Sequence, residues 1–201
     1  MTTSIRWTSA DLEALPDDGK RYEIIDGELF MSKQPNWHHQ FTCVRVARFL
    51  DEWNDRTGLG VVNAAPGVIF AEDDDVAPDV VWISKARLMI ALQPDGKLHA
   101  APELMIEVLS PGTTNERRDR EAKLKLYSQR GVQEYWVADW QRRQVEIYRR
   151  EHAALRLVAT LYEQDTLQSP LLPDFSIQVV RLFSEPGRGR YTPRLSCWQR
   201  R

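Results

Sequence analysis

Glu107 lies inside Leu104-Met105-Ile106-Glu107-Val108-Leu109, a run whose other members are all apolar. An acid in the middle of a buried strand is costly unless it is paired with a cation or binds a metal ion. Asp79 follows Pro78 at the head of a second apolar run, Val80-Val81-Trp82-Ile83. Carboxylates from two neighbouring strands, with a backbone carbonyl nearby, give the oxygen-rich half-shell that Mg2+ prefers while it keeps its waters. Taken singly, each acid has a plainer reading, a buried salt bridge for Glu107 and a strand-start cap for Asp79. The pair carries the chemistry.

A cation can be added from a helix. Stepping about 100° per residue from Asp119 puts Lys123 on the apolar arc with Ala122 and Leu126, and Lys125 on the far side with Glu121, Ser128 and Gln129. Asp119, Lys123 and Tyr127 are four apart and stack along one face, where an Asp119–Lys123 helix pair is the bland alternative. Because a Met at 123 keeps most of the lysine's stem, Lys123→Met should on this reading spare folding.

The elements that position these residues are legible from pattern. Asp26-Gly27 is a type I′ turn signal between Tyr22-Glu23-Ile24-Ile25 and Glu28-Leu29-Phe30-Met31, and a two-residue hairpin puts Glu23 and Glu28 side by side on one face. Asn36 is a helix N-cap, and the helix to about Asn54 carries His39, Cys43, Val46, Leu50 and Trp53 on one stripe. A histidine on that stripe is as readily a satisfied core residue as a ligand. Strands follow near residues 60, 67 and 79, with Glu72-Asp73-Asp74-Asp75 read as an exposed turn. The run 104–109 has the all-apolar frame of a central strand. Thr113 with Glu116 reads as a capping box for a helix to about Arg130, stopped by Gly131. A strand at Glu134–Asp139 closes a right-handed crossover with the strand at 104, so the two run parallel. Val145–Arg149 and Leu155–Leu161 read as a further hairpin.

The chain has 201 residues, 27 basic and 29 acidic, for a net charge of −2, so any attraction to nucleic acid must come from a local surface. Cys43 and Cys197 are its only cysteines, too few for a disulfide framework or a four-thiolate zinc site. The absence of an 18-residue apolar run leads to the expectation of a cytoplasmic protein with no membrane partner. Residues 1–185 are expected to form one domain with its core at about 20–140, followed by a loose basic tail, 186–201, with five arginines and no acid.

Pro78-Asp79 and Glu107-Val108-Leu109, with the acids 28 positions apart, resemble the PD-(D/E)XK signature of metal-dependent nucleases. The Tyr22–Leu29 hairpin, His39, Pro78-Asp79, Glu107-Val108-Leu109-Ser110-Pro111, Asp119 with Lys123 and Tyr127, and Gly131–Trp136 together resemble the Uma-two family of restriction-endonuclease-like proteins over about residues 20–140. One position departs from the general signature: Leu109 stands where it places a lysine, and in Uma-two sequences the helix lysine, here Lys123, takes that role. The resemblance implies an α/β restriction-endonuclease-like core, a mixed central sheet flanked by helices with an N-terminal hairpin. It further implies metal-dependent endonuclease activity on nucleic acid, DNA foremost, with Mg2+ or a Mn2+ substitute held by Asp79, Glu107 and the carbonyl of Val108. Lys123 would orient the attacking water or neutralise charge at phosphorus. Glu23 would be an additional acid, with Glu28 and His39 as lesser site residues, and a homodimer would let two sites address two strands. Two competing classes remain at this stage. One is a catalytically silent nucleic-acid-binding module that uses segments such as Arg117, Arg118 and Arg120 or Arg142, Arg143, Arg149 and Arg150. The other is an interaction protein in which a buried cation neutralises Glu107.

Overall fold

The computed structural model describes residues 5–16, 18–32 and 34–184, apart from the side chains of Thr113 and Thr114. A short helix α1 (Ser9–Glu13) precedes the hairpin of β1 (Arg21–Ile25) and β2 (Glu28–Ser32). Asp26 and Gly27 take φ of 52° and 72°, as a type I′ turn requires, and the register pairs Ile25 with Glu28 and Glu23 with Phe30. Helix α2 (Trp37–Thr57) begins at Asn36, whose side chain accepts from the amides of His38 and His39, and ends at Gly58 in the left-handed region. Its stripe from His39 to Trp53 is buried, as the spacing predicts. Next come β3 (Gly60–Ala64), β4 (Val68–Ala71), β5 (Asp74–Val76), β6 (Val80–Ser84), helix α3 (Lys85–Ala91) and β7 (Leu104–Val108). Three helical segments then run end to end, α4 (Thr113–Arg117), a π-helical stretch Arg118–Lys123, and α5 (Leu124–Gln129), with Gly131 at φ 87° beyond them. The chain goes on through β8 (Glu134–Asp139), β9 (Gln144–Glu151), β10 (Ala154–Tyr162), β11 (Thr166–Ser169), β12 (Leu172–Gln178) and α6 (Val180–Phe183).

The central sheet has the order β10-β9-β8-β7-β6-β3, and a second sheet has the order β2-β1-β5-β4. The central sheet is mixed: β7 and β8 are parallel, and their neighbours on either side are antiparallel. Side-chain alternation on β7 sorts its residues between two cores. Leu104, Ile106 and Val108 pack with Val46, Leu50 and Trp53 of α2, while Met105 and Leu109 pack with Ile25, Tyr127 and Tyr135. Glu107 shares the second face and is therefore aimed at the hairpin and the 113–129 helix.

Three features depart from the sequence reading. Asp74 and Asp75 are buried in β5, which pairs with both β1 and β4, so only Glu72-Asp73 is turn. Arg130 pairs with Asp74, and Lys97 lies 3.6 Å from Asp75. Both cations come from distant segments, which is why local acidity misled. Helix α3 and the β11–β12 hairpin, too short for a clear period, were not anticipated. The capping box at Thr113 and the tail 186–201 lie outside the described residues. No helix among the described residues is long and apolar enough to cross a membrane.

Candidate active site

Sheet register brings the two acids together. Val80 pairs with Ile106 and Val81 with Met105, and carrying the antiparallel register one pair further sets Asp79 opposite Glu107. Asp79 Oδ2 accepts from the Val108 amide at 2.9 Å and lies 3.2 Å from His39 Nε2. Glu107 is 3% exposed, and its Oε1 accepts from Lys123 Nζ at 2.9 Å and from the Tyr127 hydroxyl at 2.8 Å. Both acids line one cleft of about 260 Å3, together with Arg21, Glu23, His39, Val108, Arg118 and Lys123.

Lys123 is buried, its ammonium 2.9 Å from both Glu23 and Glu107 and 4.0 Å from Asp119. Asp119, Lys123 and Tyr127 therefore act on one face, as their spacing predicts, while Lys125 is exposed beside Asp26. Arg21, at the mouth, is not singled out by the sequence, and Arg118 is named there only among the arginines of the binding-module reading. The 100° wheel sets it on the solvent side, but it is nearly buried, donating to Ser32 Oγ at 2.9 Å and Asp119 Oδ1 at 3.0 Å with Glu23 at 3.7 Å. The π-helical stretch explains this, since its wider turn shifts the angular phase of the residues it contains. Tyr135 donates to the Asp119 carbonyl inside that turn.

The cluster holds four carboxylates, Glu23, Asp79, Glu107 and Asp119, against the two buried cations Lys123 and Arg118. Burial opposes ionisation of Glu107, Lys123 favours it, and Asp79, Asp119 and Glu23 repel a further charge; the net effect pushes its carboxyl up to about 8. Asp119 is also raised, by burial first, against the pull of Lys123 and Arg118. Burial works against Glu23 and Asp79 as well. Lys123 and Arg118 nonetheless hold Glu23 below the usual range, and His39, Lys123 and the Val108 amide do the same for Asp79. Burial disfavours the Lys123 ammonium, but Glu107, Glu23 and Asp119 overcome it and the pKa rises, so the amine stays charged.

Each of the paired acids keeps one oxygen in reserve. Among the described residues, Asp79 Oδ1 meets only Arg21 at 3.6 Å, and Glu107 Oε2 accepts no hydrogen bond. Two spare carboxylate oxygens in a cleft with more carboxylates than buried cations match the hard-donor demand of Mg2+ or Mn2+.

Not every expected residue converges. Glu23 is buried in the site, but Glu28 is exposed and opens onto a separate depression with Asp26 and Lys125. Glu23, in the middle of β1, accepts from the Ala77 amide and meets Lys123, whereas Glu28 stands beside the turn and is exposed. His39 contacts Asp79 directly. Leu109, where the general signature has its lysine, is core, and Lys123 reaches Glu107 from the helix instead.

The arginines of the binding-module reading have acidic or carbonyl partners on the protein itself, those of Arg117 and Arg142 at the exposed surface. Arg117 pairs with Glu121, Arg120 with Glu116 and Glu146, Arg142 with Asp139, Arg143 with Glu163, and Arg149 with Glu134. Arg150 donates to the carbonyls of Val132 and Ser128. Lys123 does neutralise Glu107, as the interaction-protein reading requires, yet it is shared with Glu23 and leaves the cluster with more acids than buried cations.

No curated protein matches the chain. A crystal structure of a "putative nuclease belonging to DUF820" from Anabaena variabilis has the same fold, with a TM-score of 0.71 and 17% identity over 88% of this chain and 97% of that one. The family model Uma2, described as "Putative restriction endonuclease", matches residues 9–180, a stretch that takes in the hairpin, α2, both acids of the cleft and the lysine helix. The chain belongs to the Uma2 family.

Proposed function

We propose that this protein is a divalent-metal-dependent endonuclease that hydrolyses phosphodiester bonds in DNA, with two copies addressing the two strands. The observation that carries this reading is the pair of spare oxygens, Asp79 Oδ1 and Glu107 Oε2, on one cleft beside a permanently charged lysine. Asp79 and Glu107 would hold Mg2+, with the Val108 carbonyl as a third donor. When bound, such an ion supplies Lewis acidity at the scissile phosphoryl group and makes a water nucleophilic near neutral pH. The chain's own residues do the rest. Lys123, whose ammonium the neighbouring acids favour, orients the attacking water and offsets charge that develops on the phosphoryl oxygens. Tyr127 and Lys123 fix Glu107 through one oxygen and leave the other to its task. Glu23 and Arg118 position Lys123, Glu23 as its second carboxylate partner and Arg118 through Glu23 and Asp119. Arg21, at the mouth beside Asp79, is placed to meet a phosphate oxygen.

Supercoiled plasmid incubated with the protein and Mg2+ or Mn2+ should be nicked or linearised, and EDTA should stop it. Retained DNA binding with no cleavage of duplex, single strands or RNA under either metal would favour the binding module.

Metal binding should also release protons. With its carboxyl pushed up to about 8, Glu107 holds a proton more readily than an ordinary carboxylate, and an ion that takes its carboxylate competes with that proton. Calorimetric titration of Mn2+ in buffers of different ionisation enthalpy should give up to about one proton per ion at pH 7, falling above pH 8. Binding at pH 7 with no proton release would place the ion away from Glu107.

A further inference from the structure

Asp79 also belongs to a second set of donors, of which the nuclease reading leaves His39 and Cys43 unused. His39 and Cys43 stand one turn apart on the buried stripe of α2. His39 Nδ1 lies 3.6 Å from Cys43 Sγ, and His39 Nε2 lies 3.2 Å from Asp79 Oδ2. One donor atom from each of the three residues falls within 4.8 Å of the other two. A modest contraction brings such a triangle onto the ~2.0–2.3 Å bonds of zinc. Mixed sulfur, nitrogen and oxygen donors suit Zn2+ and similar borderline ions, which take three protein ligands and leave a fourth position open, whereas Mg2+ takes oxygen.

The thiol also has an approach of its own. Cys43 and Asp79 line a depression of about 390 Å3 on the side of β3, bounded by Ala64 and Val62 and distinct from the cleft that holds Glu107 and Lys123. Arg21, Gln40 and Asp79 are common to both openings and His39 lines the cleft, so the site lies between them and an ion can reach the thiol without passing Lys123.

We propose that His39, Cys43 and Asp79 form a site for a borderline transition-metal ion such as Zn2+, and that its occupation inhibits the enzyme by drawing the Asp79 carboxylate, whose Oδ1 would hold Mg2+, toward His39 and Cys43. The inhibitory half rests on the nuclease reading; the binding half does not. As the sulfur–metal bond forms, the Cys43 thiol releases its proton to solvent, His39 gives one ring nitrogen, and Asp79 Oδ2 exchanges its imidazole contact for the ion.

Cobalt(II) added to the full chain is the probe. One Co2+ per chain should give a thiolate-to-cobalt charge-transfer band in the near ultraviolet that Zn2+ bleaches. Cys43→Ala and Cys43→Ser should lose it, and Cys197→Ser should keep it. Absence of the band in wild type overturns the proposal without reliance on any variant's folding, and so does its survival in a folded Cys43→Ala protein or its loss in Cys197→Ser. Zn2+ affinity should fall at least about 100-fold in Cys43→Ala, beyond the 10–100-fold that loss of an outer partner costs. In plasmid cleavage at fixed Mg2+, that variant should need correspondingly more Zn2+ for half-inhibition, measured against its own zinc-free rate. Equal zinc sensitivity overturns the inhibitory half. A cobalt band in a protein that never cleaves under Mg2+ sinks the nuclease reading and leaves the zinc site standing.

Discussion

Glu107→Gln should abolish metal-dependent cleavage while leaving the protein folded. The glutamine carbonyl can still accept from Lys123 and Tyr127, as Glu107 Oε1 does, so the polar contacts of the site survive. What disappears is the anionic oxygen that faces the cleft. A loss of at least about 10²-fold is expected, the scale on which one contact to developing charge is removed. Stability should respond in a defined pH window. A carboxyl whose pKa rises on folding contributes stability that is complete below its unfolded value of 4.5 and is lost as pH climbs through about 8. The wild type should therefore lose part of its stability between those limits, and Glu107→Gln should lose less, as urea denaturation at several pH values would show. Wild-type cleavage by the variant would remove Glu107 from the mechanism, and an unfolded variant would make it structural.

Lys123→Met should destabilise the fold severely at pH 7, and Lys125→Met should not. The Lys123 ammonium sits between Glu23 and Glu107 with essentially no exposure, so its removal strands two buried carboxylates. Breaking a buried pair from one side costs about 3–5 kcal/mol, whereas an exposed substitution such as Lys125→Met stays within about 0.5 kcal/mol. Urea denaturation of both variants reads the difference. Lower pH should narrow it as the stranded acids take up protons, and adding Glu107→Gln to Lys123→Met should restore part of the loss. A deficit below about 1 kcal/mol at pH 7 would contradict the buried-charge account. Turnover then has to be compared on the folded fraction of each protein.

That expectation reverses what the sequence alone favours, and the reason is instructive. The helical wheel separates Lys123 from Lys125 correctly, but it reports an angle and not a depth, so a snorkelling stem and a buried ammonium look alike. Depth came from β1, which closes over the helix and delivers Glu23 from about a hundred residues upstream. Local signals with a short reach were dependable: the Asp26-Gly27 turn, the Asn36 cap, the α2 stripe and the parallel pairing of β7 with β8 all match their patterns. Where a residue's state depends on a distant partner, pattern failed. Asp74 and Asp75 read as an exposed turn until Arg130 and Lys97 are seen beside them, and Glu28 reads as a lesser site residue beside Glu23 until the hairpin is docked. Arg118 was hidden for a different reason, because a π turn has no sequence signature and shifts the phase on which the wheel depends.

The most direct measurement is anomalous diffraction at the manganese edge from crystals soaked in Mn2+. A single strong peak should lie in the cleft, within bonding distance of one oxygen of Asp79 and one of Glu107, on the side facing Lys123. A map with no density there, or with its only peak beside His39 and Cys43, would contradict the carboxylate pair as the catalytic metal site.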